Sequence, residues 1–335
     1  MYKYIGLDAH SSTCTFCVLD EQGREIDLTT MATNGRMLVN YVKELGGAKK
    51  LTFEECELSG WLHQLFNKEV EELIVCNPVM NREFKRAKTD KIDARKLAKL
   101  LRGGFLTPVF HDGSKREQLR SVVSAYQDIV EEAVRLKNRY KSVYRKDGKM
   151  LRGSAVYSDE SLLDGLENSG LKFVGGHIYD MIALFEKKRQ ELLKELIRCS
   201  KQFKEVALLK QIPGIGDIHS AKIVSQVVDP RRFRNKNKYY SYCGLIRHKR
   251  ISGENQYGSA RGGYNRILKS VYKTAGQTVI RGENGLRRYY DALREKGTSH
   301  ENAYNAVCRK IAAISLSIWR KSAKYDENLV NAQAI

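Results

Sequence analysis

Tyr2-Lys3-Tyr4-Ile5-Gly6-Leu7-Asp8, Thr13-Cys14-Thr15-Phe16-Cys17-Val18-Leu19-Asp20 and Glu25-Ile26-Asp27-Leu28-Thr29-Thr30-Met31-Ala32 open the chain as three runs rich in Ile, Val, Thr, Phe and Tyr. β-branched and aromatic side chains fit a pleated, half-buried surface, and Gln22-Gly23 supplies a turn between the later two runs, so the segment reads as a strand meander. The period then changes. Residues 35–45 read as a helix, 50–54 as a strand, 60–68 as a helix and 72–77 as a strand that Asn77-Pro78 stops. In 89–102, Ile92, Ala94, Leu97, Ala98 and Leu101 recur at helical spacing.

Three consecutive strands followed by alternating helices and strands predict a mixed sheet covered by helices, the arrangement of an RNase H-like α/β domain. Residues 114–145 and 177–210 read as paired long helices. Leu119, Val122, Val123, Tyr126, Ile129 and Val130 begin one apolar stripe, and Ile182, Leu184, Phe185, Leu192, Leu193 and Leu196 mark the other. Between them Asp147–Gly176, with Gly175-Gly176 at its end, is read as a hinge or exposed loop. Ile212-Pro213-Gly214-Ile215-Gly216 then looks like a helix-hairpin-helix turn, whose backbone N–H groups can hold a phosphate. The alternative is an ordinary glycine turn between packed helices.

The 335 residues carry a net charge of +20 with a pI near 9.6. Such an excess speaks of partners rather than fold, and the commonest partner for it is a phosphate backbone. No run of about 18 apolar residues, signal peptide or lipidation motif is evident, so the expectation is a cytoplasmic chain without membrane attachment. The seven cysteines are scattered, and Cys14-x-x-Cys17 falls within a strand, where small buried thiols are ordinary.

A strongly basic chain has little reason to gather carboxylates unless they hold cations. Asp8 ends the first strand, Glu54 follows Leu51-Thr52-Phe53, and Asp90 and Asp93 lie three apart on one helix face. Four carboxylates from three elements can converge on two hard divalent ions, Mg2+ or Mn2+, which clamp a phosphodiester for in-line displacement. Taken singly, Asp90 also reads as a helix-start charge and Glu54 as a solvated strand edge, with Glu55 and Glu57 as neighbouring candidates. His10, two residues after Asp8, is read as a loop histidine, with contact to a carboxylate or substrate as the alternative. The segment 231–250 holds eight Lys or Arg and no acid. Arg231, Arg232, Arg234, Lys236, Lys238, Arg247, Lys249, Arg250 and the later Arg261 are its candidate nucleic-acid contacts. Ser252 lies in Arg250-Ile251-Ser252-Gly253-Glu254 amid these cations, either as a nucleophile toward phosphorus or as part of a loop that touches phosphates. Tyr239, Tyr240 and Tyr242 stack on bases or pack within a helix.

With these residues in hand, the chain resembles the bridge-RNA-guided DEDD transposases of the insertion-sequence "one-ten" family, which includes pilin-gene invertases. Ile5-Gly6-Leu7-Asp8-Ala9-His10, Phe53-Glu54-Glu55 and Thr89-Asp90-Lys91-Ile92-Asp93-Ala94-Arg95 carry the N-terminal part of the likeness. Ile212-Pro213-Gly214-Ile215-Gly216, Tyr242-Cys243-Gly244-Leu245, Ser252-Gly253 and Gly258-Ser259-Ala260-Arg261-Gly262-Gly263 carry the C-terminal part. The resemblance implies a RuvC-like (RNase H-fold) domain over 1–112 and a helical coiled-coil region over 113–205. A mainly α transposase domain over 206–325 and a tail over 326–335 would follow. It also implies that Asp8, Glu54, Asp90 and Asp93 form a metal-binding quartet and that Ser252, with Ser259 as the fallback, becomes linked to DNA. Expected partners are target and donor DNA, a structured guide RNA, and further copies of the chain in a dimer or tetramer. In that assembly, carboxylates of one subunit and the serine of another form the site. The rival readings are a RuvC-like junction nuclease using metal and water alone, and a non-catalytic nucleic-acid binder.

Overall fold

The computed structural model describes residues 1–78, 89–111, 116–252, 255–260 and 262–331. The chain divides into two compact units, Met1–Ser114 and Lys115–Ile335.

In the first unit, β1 (Tyr2–Ala9), β2 (Thr13–Leu19) and β3 (Glu25–Ala32) form the antiparallel meander that the alternation predicts. Strands β4 (Ala48–Glu54) and β5 (Glu72–Cys76) run parallel to β1, giving the order β3-β2-β1-β4-β5 with β1 at the centre. Successive strand residues point to opposite faces, so each face collects its own core. Ile5, Leu7, Phe16, Leu51 and Phe53 bury one face with Leu38 and Val42 of α1 (Gly35–Glu44) and Leu62 and Phe66 of α2 (Ser59–Phe66). Cys17 and Leu19 meet Ala94 and Ala98 of α3 (Asp90–Gly103) on the other. Cys14 and Cys17 therefore belong to different cores and are free thiols.

Gly6 sets how closely α3 approaches. A Cβ built there would stand 2.2 Å from the Ala94 carbonyl oxygen and 2.3 Å from the Ala98 nitrogen. Only glycine admits a helix backbone at that distance. The same closeness carries the first turn of α3, with Thr89 capping the Ile92 N–H, to the end of β1.

Among the described residues the second unit is helical apart from one hairpin. Helices α4 (Arg116–Lys146) and α5 (Ser169–Ser200) pack antiparallel. Their distal ends enclose Leu136, Tyr140, Val143, Ile178 and Ile182. Their other ends, through Leu119, Val123, Tyr126 and Leu196, join the core of the following helices. These are α6 (Lys204–Leu209), α7 (Asp217–Val227), α8 (Lys236–Tyr242), α9 (Arg266–Val279), α10 (Gly285–Glu295) and α11 (His300–Lys321). Strands β6 (His248–Ser252) and β7 (Asn255–Ala260) form the hairpin. Residues 212–216 turn α6 into α7, with Gly214 in the left-handed region at φ +81°.

Gly175-Gly176 is not a loop. It lies inside α5, which begins at Ser169 rather than near 177. A Cβ at Gly175 would touch Leu163 at 3.0 Å and Leu166 at 3.4 Å, so the glycine gives helix-packing room, and packing outweighs its low helix propensity. Among the described residues no helix is long and apolar enough to cross a membrane.

Candidate functional site

Asp8 stands near the C-terminal end of β1, and the register Leu7 to Phe53 continues to place Glu54 beside it on parallel β4. Alternation turns Leu7 and Phe53 into the α1/α2 core and leaves Asp8 and Glu54 on the face that Gly6 opens to α3. Asp90 and Asp93 occupy the first turn of that helix.

Three groups meet there. Ligand atoms of Asp8, His10 and Asp90 all lie within 4.8 Å of one another. His10 Nε2 is 3.3 Å from Asp8 Oδ2 and 3.8 Å from Asp90 Oδ1. Asp8 is 19% exposed at its side chain, against 50% for Asp90 and 55% for His10, so it forms the half-buried floor of an open cluster. Burial raises the Asp8 carboxyl above its ordinary value; His10 opposes that rise, while the charges of Asp90 and Asp93 add to it. A half-buried carboxylate crowded by others is unfavourable alone and is relieved by a cation. Carboxylate oxygens suit a hard divalent ion such as Mg2+ or Mn2+, and an imidazole is a ligand that first-row transition ions accept. The donor set fits such an ion.

The remaining carboxylates sit at the edge of this cluster. Asp93 is close enough for its charge to raise Asp8, but it does not share the tight grouping. Glu54 faces Lys96, whose Nζ lies 3.7 Å from its Oε1 and whose side chain is only 14% exposed. Glu55 turns toward His111 at 3.6 Å, and Glu57 is exposed on the loop before α2. For His10 the alternative of contact with a carboxylate describes the structure rather than the loop histidine preferred above, and Lys96 is the residue that the sequence reading leaves out. The i, i+2 spacing of Asp8 and His10 at a strand end was a usable signal for the first, since such residues share a face. For Lys96 no local signal existed.

In the second unit, the backbone places Ser252 at the end of β6, paired with Asn255. Its side chain lies outside the described residues, as do those of Lys249 and Arg250, and so does Arg261. Arg231, Arg234, Lys238 and Arg247 are exposed, and Arg247 donates to the Ser259 carbonyl at 3.1 Å. Lys236 is half-buried. Arg232 instead stacks on Phe233 and Tyr242, with its guanidinium carbon 4.7 and 4.6 Å from the ring centres. Tyr239 is a core residue whose hydroxyl pairs with that of Tyr272, and Tyr242 donates to the Gln226 carbonyl at 3.1 Å. Of the open alternatives, packing describes both tyrosines.

Comparison with known proteins adds family membership. Residues 5–146 match a family model for the DEDD transposase of IS110 elements. Residues 206–291 match a second one, described as "Transposase IS116/IS110/IS902 family". Both are transposase models, and between them they take in the carboxylate cluster and the Ser252 hairpin. The chain belongs to the IS110 family of insertion-sequence transposases. It is 25% identical to a putative transposase (y4qE) of Sinorhizobium fredii over 255 residues, 75% of this chain and 64% of that protein. An IS110 43.6 kDa protein of Streptomyces coelicolor is 27% identical over 124 residues, 36% of this chain and 30% of its own. An IS116 44.8 kDa protein of Streptomyces clavuligerus is 26% identical over 161 residues, 47% and 39% of the two chains. The chain thus spans less than two thirds of each relative.

Proposed function

We propose that this chain is a DNA transposase that cuts and rejoins strands through a phosphoserine link, with a divalent-metal cluster on an RNase H-like (RuvC-like) scaffold. The observation that carries the reading is the convergence of Asp8, His10 and Asp90 at the end of the central strand of a β3-β2-β1-β4-β5 sheet. Membership of the family supports it, as does the +20 charge. Asp8, Asp90, Glu54 and Asp93 would hold Mg2+ or Mn2+, and His10 joins them as a ligand or as the group that orients Asp8. Bound there, the ions would activate an attacking oxygen and stabilise a leaving one.

The chain's own residues supply the nucleophile and hold the phosphates. The Ser252 hydroxyl oxygen forms a bond to a backbone phosphorus, its proton passes to solvent or a nearby base, and the scissile P–O bond breaks to free a strand end. The phosphoserine link conserves the bond energy, and attack by another strand's hydroxyl releases the serine. Arg231, Arg234, Lys238 and Arg247 stand in the same unit as exposed cations that hold the phosphates. A structured guide RNA and assembly into a dimer or tetramer belong to the same reading, because a basic surface accepts RNA as readily as DNA.

Mass spectrometry of protein recovered from cells carrying the intact element tests it. A nucleotide-modified peptide containing Ser252 is expected, and Ser252→Ala is expected to abolish it. Survival of the adduct in that variant moves the nucleophile elsewhere. Asp8→Ala and Asp93→Ala are expected to abolish strand exchange and keep nucleic-acid binding; robust exchange by either removes the carboxylates from the mechanism. Free 5′-phosphate and 3′-hydroxyl ends without any adduct would favour the junction nuclease.

A further inference from the structure

Lys96 brings a cation of the chain's own into the carboxylate cluster of the first unit. It lies on α3 between Ala94 and Ala98, the two residues whose backbone closes on Gly6, and α3 packs against β4 as well as β1. It also stands three residues after Asp93, the spacing of neighbours on one helix face. Its Nζ is 3.7 Å from Glu54 Oε1, whereas the ligand atoms of Asp8, His10 and Asp90 gather within 4.8 Å of one another without Glu54.

A lysine ordinarily keeps its ammonium in water and lays only its stem on the protein. Here only 14% of the side chain is exposed, and the carboxylate at its tip compensates the charge. At 3.7 Å the pair is held by charge rather than by a hydrogen bond, so it can open without breaking a fixed geometry. The balance of charge points the same way. Asp8, Glu54, Asp90 and Asp93 bring at most four negative charges. One divalent ion together with the ammonium leaves the cluster slightly negative. Two ions together with the ammonium overfill it until a phosphate adds its own charge.

We infer that Lys96 is the resident cation of this site: it holds Glu54 back in the free protein, so that the cluster takes a single divalent ion, at Asp8, His10 and Asp90. The flexible four-carbon stem lets the ammonium turn from Glu54 to a phosphodiester oxygen. Glu54 is then free to act as a ligand once DNA is in place, and water is not activated at an idle site. The inference rests on the reading of the cluster as a metal site. It concerns how many ions the chain accepts before DNA arrives, not the strand chemistry.

Electron paramagnetic resonance of free Mn2+, titrated into the full-length protein without nucleic acid, tests it, with Asp8→Asn as the background for adventitious sites. Wild type is expected to bind one Mn2+ per chain above that background. Lys96→Met and Lys96→Gln remove the charge and keep most of the stem. Each is expected to bind two, with the first held about tenfold more tightly, a gain that loosened packing alone would not give. Lys96→Arg keeps the charge and is expected to return the count to one. Adding Glu54→Gln to Lys96→Met is expected to remove the second ion. If one neutral variant does not fold, the other decides; if neither folds, the wild-type count decides alone. A wild type that takes two ions, or a folded neutral variant that still takes one, overturns the role of Lys96 and leaves the metal site standing. A wild type that takes none removes the metal reading and this inference with it.

Discussion

Gly6→Ala is the smallest change that separates the carboxylate cluster from the rest of the fold. The added methyl would stand 2.2 Å from the Ala94 carbonyl oxygen and 2.3 Å from the Ala98 nitrogen. An ordinary carbon–oxygen contact is roughly 3.3 Å, so α3 must move away from β1 by about 1.1 Å, or β1 must bend. Both obstacles are backbone atoms, and no rotamer change relieves them. Overpacking of this kind costs about 1–3 kcal/mol. The same displacement carries Asp90 and Asp93 away from Asp8, and a misplacement of about 1 Å can reduce a rate roughly a hundredfold. Thermal melts and a strand-exchange assay on the full chain measure both effects. A lower melting temperature and loss of exchange are expected, with nucleic-acid binding by the second unit retained. A Gly6→Ala protein that melts like wild type and exchanges strands at the wild-type rate would refute the reasoning that close α3 packing assembles the site.

Three further predictions follow from other contacts. Asp8 has its carboxyl raised in the fold, so the metal-free folded state is favoured below the unfolded carboxylate pKa and loses that advantage as pH rises through the raised value. Asp8→Asn is expected to make metal-free melting temperature less dependent on pH across that window and to shrink the stabilisation by Mg2+ or Mn2+; an unchanged metal-induced shift would exclude Asp8 as a ligand. Tyr239→Phe removes one of two buried, mutually bonded hydroxyls and is expected to destabilise the second unit by about 1 kcal/mol, read by urea denaturation. No loss of stability would mean that the Tyr239–Tyr272 pair is not holding that core. Gly175→Leu forces a side chain against Leu163 and Leu166 and is expected to cost about 1–3 kcal/mol, whereas a true hinge glycine would tolerate it.

Much of the first unit was legible because its signals are local. Alternation in Tyr2–Ala9 and in Ala48–Glu54 fixes which side chains share a face, and that alone puts Asp8 and Glu54 opposite the apolar core. Thr89 with Asp90 and Asp93 marks a helix start in the same way. The second unit was less legible at the first turns of α5. Gly175-Gly176 carries the composition of a break, yet the space beside Leu163 and Leu166 makes it a packed helical pair.

By itself the sequence determined the element types of the first unit, the face Asp8 and Glu54 occupy and a net charge of +20 that seeks a polyanion, since period and charge need no knowledge of distant neighbours. Only the tertiary structure decided that His10 stands 3.8 Å from Asp90, that Lys96 guards Glu54, and that Arg234 and Lys236 share a cavity with Arg320 and Lys321. Each of these pairs residues on different elements, and which ones meet depends on how closely two backbones pack. Gly6 sets that distance for the first two, and the seating of α8 against α11 sets it for the third.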